Sequence, residues 1–374
     1  MNTPIFRMQY GQLKTILKAL YPYINKRSES TSAIKITTDA RSHRLFFETL
    51  KTFDVGIRFT IDAIVNVDTI LYISLPVINS LLEMILSPED ELRFNETEID
   101  NDYSIFIPIN ENKQLYASKY EENTTYFHQN FIDRYRFTGK QVLDELFNIR
   151  YATGNDPVRM VFNSILIRED KVVASDTYRL AVRNFPHTVD RDLLIPKEAF
   201  FILEKTLSKR STVFFGYNSK YIFFDFRHKN LDADVKIYVI NRNYDYGKYP
   251  DFEKVIPQNN LDSFHIENVE TFVKTIDENK DSTTKAVKLE FLNNGKLKIS
   301  GHELKYERIL GSIASFEPFT IHLNAKFLKN IIRKNNIKNL VIQKDSNSDR
   351  SPVIIKDSNK PENIDLVLPI RKEG

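Results

Sequence analysis

Apolar residues recur along the chain in two alternating periods, one helical and one of strands. From Gly11, the positions Leu13, Ile16, Leu17 and Leu20 fall at the i, i+3, i+4, i+7 spacing of an amphipathic helix. Similar spacing returns after Thr138, with Val142, Leu143, Leu146 and Phe147, and after Glu267, with Val269, Phe272, Val273 and Ile276. Each helix leads into a strand-rich stretch: residues 33–48, 163–175 and 285–300, the last with the hairpin turn Asn293-Asn294-Gly295. A second helix is expected in every copy. Pro76 and Pro196 start two of them as first-turn prolines, and Asn324 caps the third. Hairpins at 92–108, 212–227 and 340–356 close the copies. A recurrence at roughly 120–130 residues is too long for a stacking repeat, so each copy is a domain. The pattern predicts an α+β chain of three similar domains, 1–128, 129–258 and 259–374, each with two helices on antiparallel sheets. The polar stretches Glu121-Glu122-Asn123-Thr124-Thr125 and Pro257-Gln258-Asn259-Asn260 fit the breaks between them.

Composition narrows the chemistry. Of 374 residues, 53 are Lys or Arg against 50 Asp or Glu, a net +3 that excludes a polycation but permits local basic faces. The absence of cysteine removes disulfides, thiolate nucleophiles and cysteine metal sites. Thr138-Gly139-Lys140 is no phosphate loop, since Arg134 stands where the first glycine belongs and Gln141 follows the lysine. The seven histidines never fall in pairs at metal-ligand spacing, and His322, before a helix cap, reads as structural. Acidic groups such as Glu121-Glu122, or Asp262 near Glu267, read as solvated charge. No enzyme, metal or cofactor is expected. Residues 1–13 carry no signal-like apolar run. The most apolar stretch, 69–86, contains Pro76, Asn79 and Glu83 and reads as a buried strand and helix. A soluble, cytoplasmic protein with no membrane contact is the expectation.

Two helices carry cations opposite their apolar stripes, and a third carries cations less cleanly separated from its acidic residues. Lys326, Lys329 and Arg333 oppose Phe327, Leu328, Ile331 and Ile332, and Lys14 and Lys18 lie away from the leucines of the first helix. The helix from Pro196 carries Lys197, Lys205, Lys209 and Arg210. Each face alone reads as solvated surface. Repeated across domains, the faces read as one surface that tracks phosphates without reading bases.

Several blocks resemble the bacterial DNA polymerase III beta sliding clamp family. Ala174-Ser175-Asp176-Thr177-Tyr178-Arg179-Leu180-Ala181-Val182 is similar to its second-domain signature. Pro157-Val158-Arg159, Phe162-Asn163-Ser164-Ile165-Leu166 and Leu194-Ile195-Pro196-Lys197 resemble the flanking strand and helix start. Tyr249-Pro250-Asp251-Phe252 with Lys254-Val255-Ile256-Pro257 resembles the crossing from domain two to three, and Leu366-Val367-Leu368-Pro369-Ile370-Arg371 the terminal strand. The blocks keep the family's order along about two-thirds of the chain, while the first domain matches in element order only.

The resemblance implies a DNA clamp fold and a head-to-tail homodimer, a six-domain ring around duplex DNA that tethers polymerases. Polymerase and clamp-loader subunits would dock through short peptide motifs. The implied peptide site comprises Ser175, Thr177, Tyr178, Arg179, Leu180, Pro250, Lys254, Val255, Asn324, Leu366, Val367, Leu368, Pro369, Ile370 and Arg371. The implied DNA surface comprises Lys14, Lys18, Arg27, Lys197, Lys205, Lys209, Lys326, Lys329 and Arg333. Four features depart from the family: Thr177-Tyr178 stands where Gly-His is common, and Lys372-Glu373-Gly374 extends the tail. The Pro76 helix lacks any lysine or arginine, and Asp277-Glu278 falls where an apolar dimer residue is expected. Two other classes stay open: a clamp-fold interaction protein that binds peptides without closing on DNA, and a metal-dependent nuclease or hydrolase, which would need a carboxylate cluster in space.

Overall fold

The computed structural model describes residues 3–24, 33–49, 55–96, 103–106, 114–117, 133–241, 247–257, 261–292, 296–299, 302–309, 318–345, 348 and 350–370. The chain forms two compact units, Met1–Leu143 with Glu198–Asn241, and Asp144–Lys197 with Arg242–Gly374.

The larger sheet of the first unit is antiparallel throughout. Its order is Asp133–Thr138, Thr212–Tyr217, Tyr221–Arg227, Asp234–Ile240, Val55–Asp62, Arg44–Thr49, Ala33–Asp39 and Ile70–Ser74. Alternate residues on one face (Ile34 and Ile36, Leu45 and Phe47, Ile57 and Phe59, Val235 and Ile237) are fully buried, as a half-covered strand requires. At the central seam Gly56 lies opposite Tyr238, and a Cβ there would stand 1.8 Å from the tyrosine ring. Glycine is what lets that ring cross the sheet.

A smaller sheet in the same unit runs Ile64–Val65, Phe6–Gln9, Glu91–Glu96, Tyr103–Phe106, Gln114–Ala117. Helix α1 (Tyr10–Leu20) buries Leu13, Ile16, Leu17 and Leu20, as their spacing predicts. Helix α2 (Leu75–Glu83) has Pro76 in its first turn but stops before residue 86. Its end is taken by α1: the Tyr10 hydroxyl lies 2.8 Å from the Leu81 carbonyl and 2.7 Å from that of Met84, and Lys14 Nζ donates to Met84 at 3.1 Å. Carbonyls left free at a helix C-terminus are thereby satisfied.

Two other helix expectations need correction. Around Thr138, the predicted α-helix is a wide π-type turn at Gln141–Leu146 followed by a 3-10 turn at Asn148–Ala152. Thr138 and Gln141 cap each other reciprocally, so the start signal is real. The buried set is Val142, Leu146, Phe147 and Ile149, while Leu143, expected on the apolar face, is only half-buried. Pro196 is the last residue of strand Leu193–Pro196, paired with Ser164, and α3 (Lys197–Thr206) starts after it. That helix ends at Thr206 because Leu207 bridges to His228, which puts Lys209 and Arg210 in the following turn.

The second unit holds one continuous twelve-stranded sheet. Its order is Leu193–Pro196, Ser164–Arg168, Lys171–Ser175, Arg179–Asn184, Lys360–Val367, Val353–Asp357, Leu340–Lys344, Asp262–Ile266, His302–Ile309, Lys296–Ile299, Ala286–Phe291, Phe319–Asn324. Helices α4 (Val269–Glu278) and α5 (Ala325–Lys334) pack Phe272, Ile276, Leu328 and Ile331 into a core with Phe264, Leu340 and Val367. Asparagines cap both helices. Asn268 accepts from the Thr271 N–H, and Asn324 from those of Lys326 and Phe327. The expected turn at 293–295 lies outside the described residues. Among the described residues no helix is long and apolar enough to cross a membrane.

One buried ionic network secures this unit. Arg183 and Asp365, with side chains 2% and 3% exposed, pair through Nη2 at 2.9 and 3.1 Å. Arg183 Nη1 also donates to the carbonyls of Val182 (2.8 Å) and Ile364 (3.1 Å), so it straps neighbouring strands together. Tyr151 donates to Asp365, and Asn335 at the end of α5 donates to Asp365 at 3.1 Å and to Tyr151 at 3.0 Å. Burial, reinforced by Asp365, holds the Tyr151 phenol well above its ordinary pKa, so it remains a donor. Removing one partner strands a buried charge, at a typical cost of about 3–5 kcal/mol. Arg183→Met is therefore expected to lose about 3–5 kcal/mol in urea unfolding. The double variant with Asp365→Leu should recover most of it, and a single-variant loss under about 1 kcal/mol would contradict the network.

Candidate binding cleft

The second unit's most unusual turn joins Lys171–Ser175 to Arg179–Asn184. Asp176 Oδ1 accepts from the N–H groups of Tyr178 (3.1 Å) and Arg179 (3.0 Å), and Oδ2 from Arg179 Nε (2.8 Å). Ser175 Oγ donates to the Arg179 carbonyl at 2.9 Å and accepts from the Thr177 N–H at 3.1 Å. These bonds hold Thr177 at φ +74°, in the left-handed region that β-branched residues avoid. The turn is over-determined, and the strain sits at its tip.

Beside this turn lies an apolar cleft of about 230 Å³. Leu180 and Leu366 come from paired strands, Phe162 from the segment preceding Ser164–Arg168, and Tyr249, Phe252 and Val255 from the crossing segment. Tyr249 and Phe252 are buried, and the Phe162 and Tyr249 rings meet edge-on at 5.8 Å. Burial raises the Tyr249 phenol above its ordinary pKa, so it stays neutral. Tyr178, Val255 and Leu368 form an exposed apolar rim, with Tyr178 64% accessible. The Leu368 N–H donates to the Tyr178 carbonyl at 2.9 Å, so two rim residues are joined through the backbone.

Most of the expected site residues converge here: Ser175, Thr177, Tyr178, Arg179, Leu180, Pro250, Val255, Leu366 and Leu368 line the cleft. Others do not. Lys254 points to solvent and pairs with Asp251 at 3.2 Å. Val367 faces the opposite side of its strand, into the helix-side core. Asn324 spends its side-chain oxygen capping α5. Pro369 and Ile370 are half-buried beyond the rim, with the Ile370 N–H on the His322 carbonyl at 2.8 Å. Arg371 and the tail 372–374 lie outside the described residues. Phe162, Tyr249, Asp251 and Phe252 also line the cleft, although sequence reasoning left them off the site. Their signal was present: each sits in a block that already resembled the clamp family.

No protein-family model and no curated protein matches the sequence. Solved structures do match it. The DNA polymerase III subunit beta of Pseudomonas aeruginosa aligns with a TM-score of 0.79 at 14% identity, over 98% of this chain and 99% of that one. The subunit of Borrelia burgdorferi, in complex with a natural product, gives 0.77 at 15% identity over 99% and 100%. The sliding clamp of Caulobacter crescentus gives 0.76 at 16% over 98% and 99%. This chain has the sliding-clamp fold. At such identities the fold is what the proteins share, and the site must be argued from this chain's own residues.

Several cations of the expected DNA surface are engaged with the protein itself. Lys14 caps α2 and lies over the Tyr10 ring at 4.9 Å, and Lys197 donates to the Gly154 carbonyl at 2.7 Å and to Asn155. Lys329 places its ammonium 2.7 Å from both oxygens of Asp277, which also takes Lys280 at 2.6 Å. Asp277, which stands where an apolar dimer residue is expected, thus joins α4 to α5. Lys205 lies over the Tyr23 ring at 5.9 Å yet remains exposed, as do Lys18, Lys209, Lys326 and Arg333. Arg27 lies outside the described residues. Among the described residues no group of His, Asp or Glu side chains could hold a metal ion.

Two outcomes follow from this chemistry. The left-handed strain at Thr177 is worth about 1–3 kcal/mol, against about 0.5–1 kcal/mol for the extra unfolded-state freedom of glycine. Thr177→Gly should therefore stabilise the protein by about 1 kcal/mol in urea titration, and destabilisation would refute the strained turn. Lys280, and then Lys329, hold the Asp277 carboxyl down at about 2. A depressed folded-state pKa means the pairing stabilises above the ordinary value near 3.8 and is lost as pH falls through about 2. Carboxyl NMR should give a midpoint of about 2, moving upward in Lys329→Ala; an ordinary carboxylate midpoint in both proteins would exclude the pairing.

Proposed function

We propose that this protein is a DNA polymerase processivity factor: a sliding clamp that encircles duplex DNA without reading sequence and tethers partners through the cleft. On this reading the chain comprises three clamp domains, 1–128, 129–258 and 259–374, and pairs head to tail into a six-domain ring in the cytoplasm. It has no catalytic role. Polymerase and clamp-loader subunits dock by short extended peptides whose leucine and aromatic side chains fill the cleft. One observation supports this most. In a chain with the clamp fold along 98% of its length, three distant segments meet in one apolar cleft, at positions their likeness to the family singles out.

The second reading is an interaction protein that binds peptides without closing on DNA. Lys14, Lys197 and Lys329 are engaged by the protein's own acceptors, as a protein that never meets DNA allows. Sedimentation at physiological salt and retention on nicked circular DNA separate the two. A ring sediments at twice the chain mass, stays on the circle and slides off once the circle is cut. A monomer that binds labelled pentapeptide but escapes the circle supports the second reading. No saturable peptide signal at high micromolar protein would sink both.

A further inference from the structure

One turn design recurs through the chain. A side-chain oxygen one bond beyond Cγ accepts from the backbone N–H groups two and three residues on, and so closes the turn locally. Asp156, Asp176, Asn218 and Asp281 each do this. At residues 228–231 the acceptor is a histidine. His228 Nδ1, also one bond beyond Cγ, accepts from the N–H groups of Asn230 (3.2 Å) and Leu231 (3.0 Å). A nitrogen that accepts carries no proton, so this turn requires the neutral imidazole with its hydrogen on Nε2. Carboxylates and amides in the other turns remain acceptors across the neutral range, whereas imidazole does not.

Three parts of the first unit meet at this turn. Its ends close through the His228 N–H on the Ala233 carbonyl at 2.9 Å. His228 forms the bridge with Leu207 that ends α3, and the Lys229 N–H donates to the Thr206 carbonyl at 3.1 Å. The imidazole lies 5.4 Å from the Phe59 ring of strand Val55–Asp62, which pairs with Asp234–Ile240 at the sheet's central seam. The charged groups of the turn are Lys229, which opposes a second positive charge, and Arg227, which is paired with Asp232 and, at 2.9 Å, with Asp234. Strand Val55–Asp62 meets the imidazole with Phe59, and α3 meets the turn through the Thr206 and Leu207 backbone, none of them titratable.

We propose that His228 is a proton-sensitive latch. Neutral, it closes the turn and fixes the end of α3 against the sheet. Protonated, it aims an N–H at two backbone N–H groups, and the turn opens. Burial, and then Lys229, hold the imidazole below its ordinary pKa of 6.5. A base with a depressed folded-state pKa favours the fold while neutral. Its contribution is complete above about 6.5 and is lost as pH falls from there through the folded-state value. The end of α3 lies between Lys205 and Lys209, both of the expected DNA surface, so the latch sets how firmly that basic stretch is held.

The test is a pH titration of the full chain by NMR, with His228→Asn as the reference. Asparagine keeps an acceptor one bond beyond Cγ and does not titrate. In the unmodified protein the His228 ring should titrate with a midpoint below 6.5, and the Asn230, Leu231 and Leu207 amide signals should move with that same midpoint. In His228→Asn those amides should hold still. Urea unfolding between about pH 7.5 and 5.5 should report the same proton. With acid, the unfolding constant of the unmodified protein should rise relative to that of the variant, by at most about tenfold per pH unit. The remaining histidines are common to both proteins and cancel. A His228 midpoint at or above 6.5, or neighbouring amides that ignore it, overturns the latch, and both are read on the unmodified protein even if the variant fails to fold. An acid dependence unchanged in His228→Asn overturns it as well.

Discussion

A guanidinium sealed inside the second unit fixes which way its strands face. Arg183, Ala181, Asp365 and Val367 share one face of the seam between Arg179–Asn184 and Lys360–Val367, turned toward the helix-side core. Leu180, Val182 and Leu366 occupy the other face, packed with Phe162, Tyr249 and Phe252 beneath the cleft. Side chains alternate strictly along a strand, so a slip of one residue would exchange Leu366 for Val367 and erase the cleft floor. The ion pair forbids that slip, because displaced by one position Asp365 would abandon a buried arginine. Well-packed apolar residues can match the stability of such a pair, so its contribution here lies in register more than in net free energy.

The turn above that seam has the opposite character. Its backbone is held in a costly conformation by five local hydrogen bonds. The strain is stored where Thr177 and Tyr178 border the cleft, and strain that persists is strain the surroundings enforce. A glycine there would relax the tip and leave the rim less defined. Threonine keeps Tyr178 presented at the mouth, with its carbonyl bonded to Leu368. Rigid strands set the floor and a strained turn sets the rim, so the cleft is formed before any partner arrives.

Periodicity made the helices legible where one apolar stripe met one core, as in α1, α4 and α5. It failed at Thr138–Phe147, where the backbone widens into a π-type turn and then tightens into a 3-10 turn, and beyond Thr206, where a strand bridge ends the helix against a continuing basic pattern. Pairing between remote strands was invisible: nothing local in Val55–Asp62 announces that it joins Asp234–Ile240, although Gly56 is the trace of that meeting. The cleft was legible only through likeness to a family, since its walls lie far apart in sequence. Within it, strand alternation already separated Leu366 from Val367, and the cap role of Asn324 already competed with a role in binding. Both corrections followed from rules that act on single elements.

The charge distribution bears on how such a fold could meet DNA. Affinity for a duplex grows with the number of phosphates neutralised and falls steeply with salt. Lysines satisfied by Met84, Gly154 and Asp277 subtract from that number, while Lys18, Lys209, Lys326 and Arg333 stay exposed. A closed ring tolerates the loss, because its hold is topological and its contacts must exchange quickly for it to slide. A protein that never engages DNA tolerates it too. An open clamp gripping DNA by charge alone does not, since it would need every one of those cations. The charges therefore argue against the intermediate case and leave closure itself as the property on which the two readings divide.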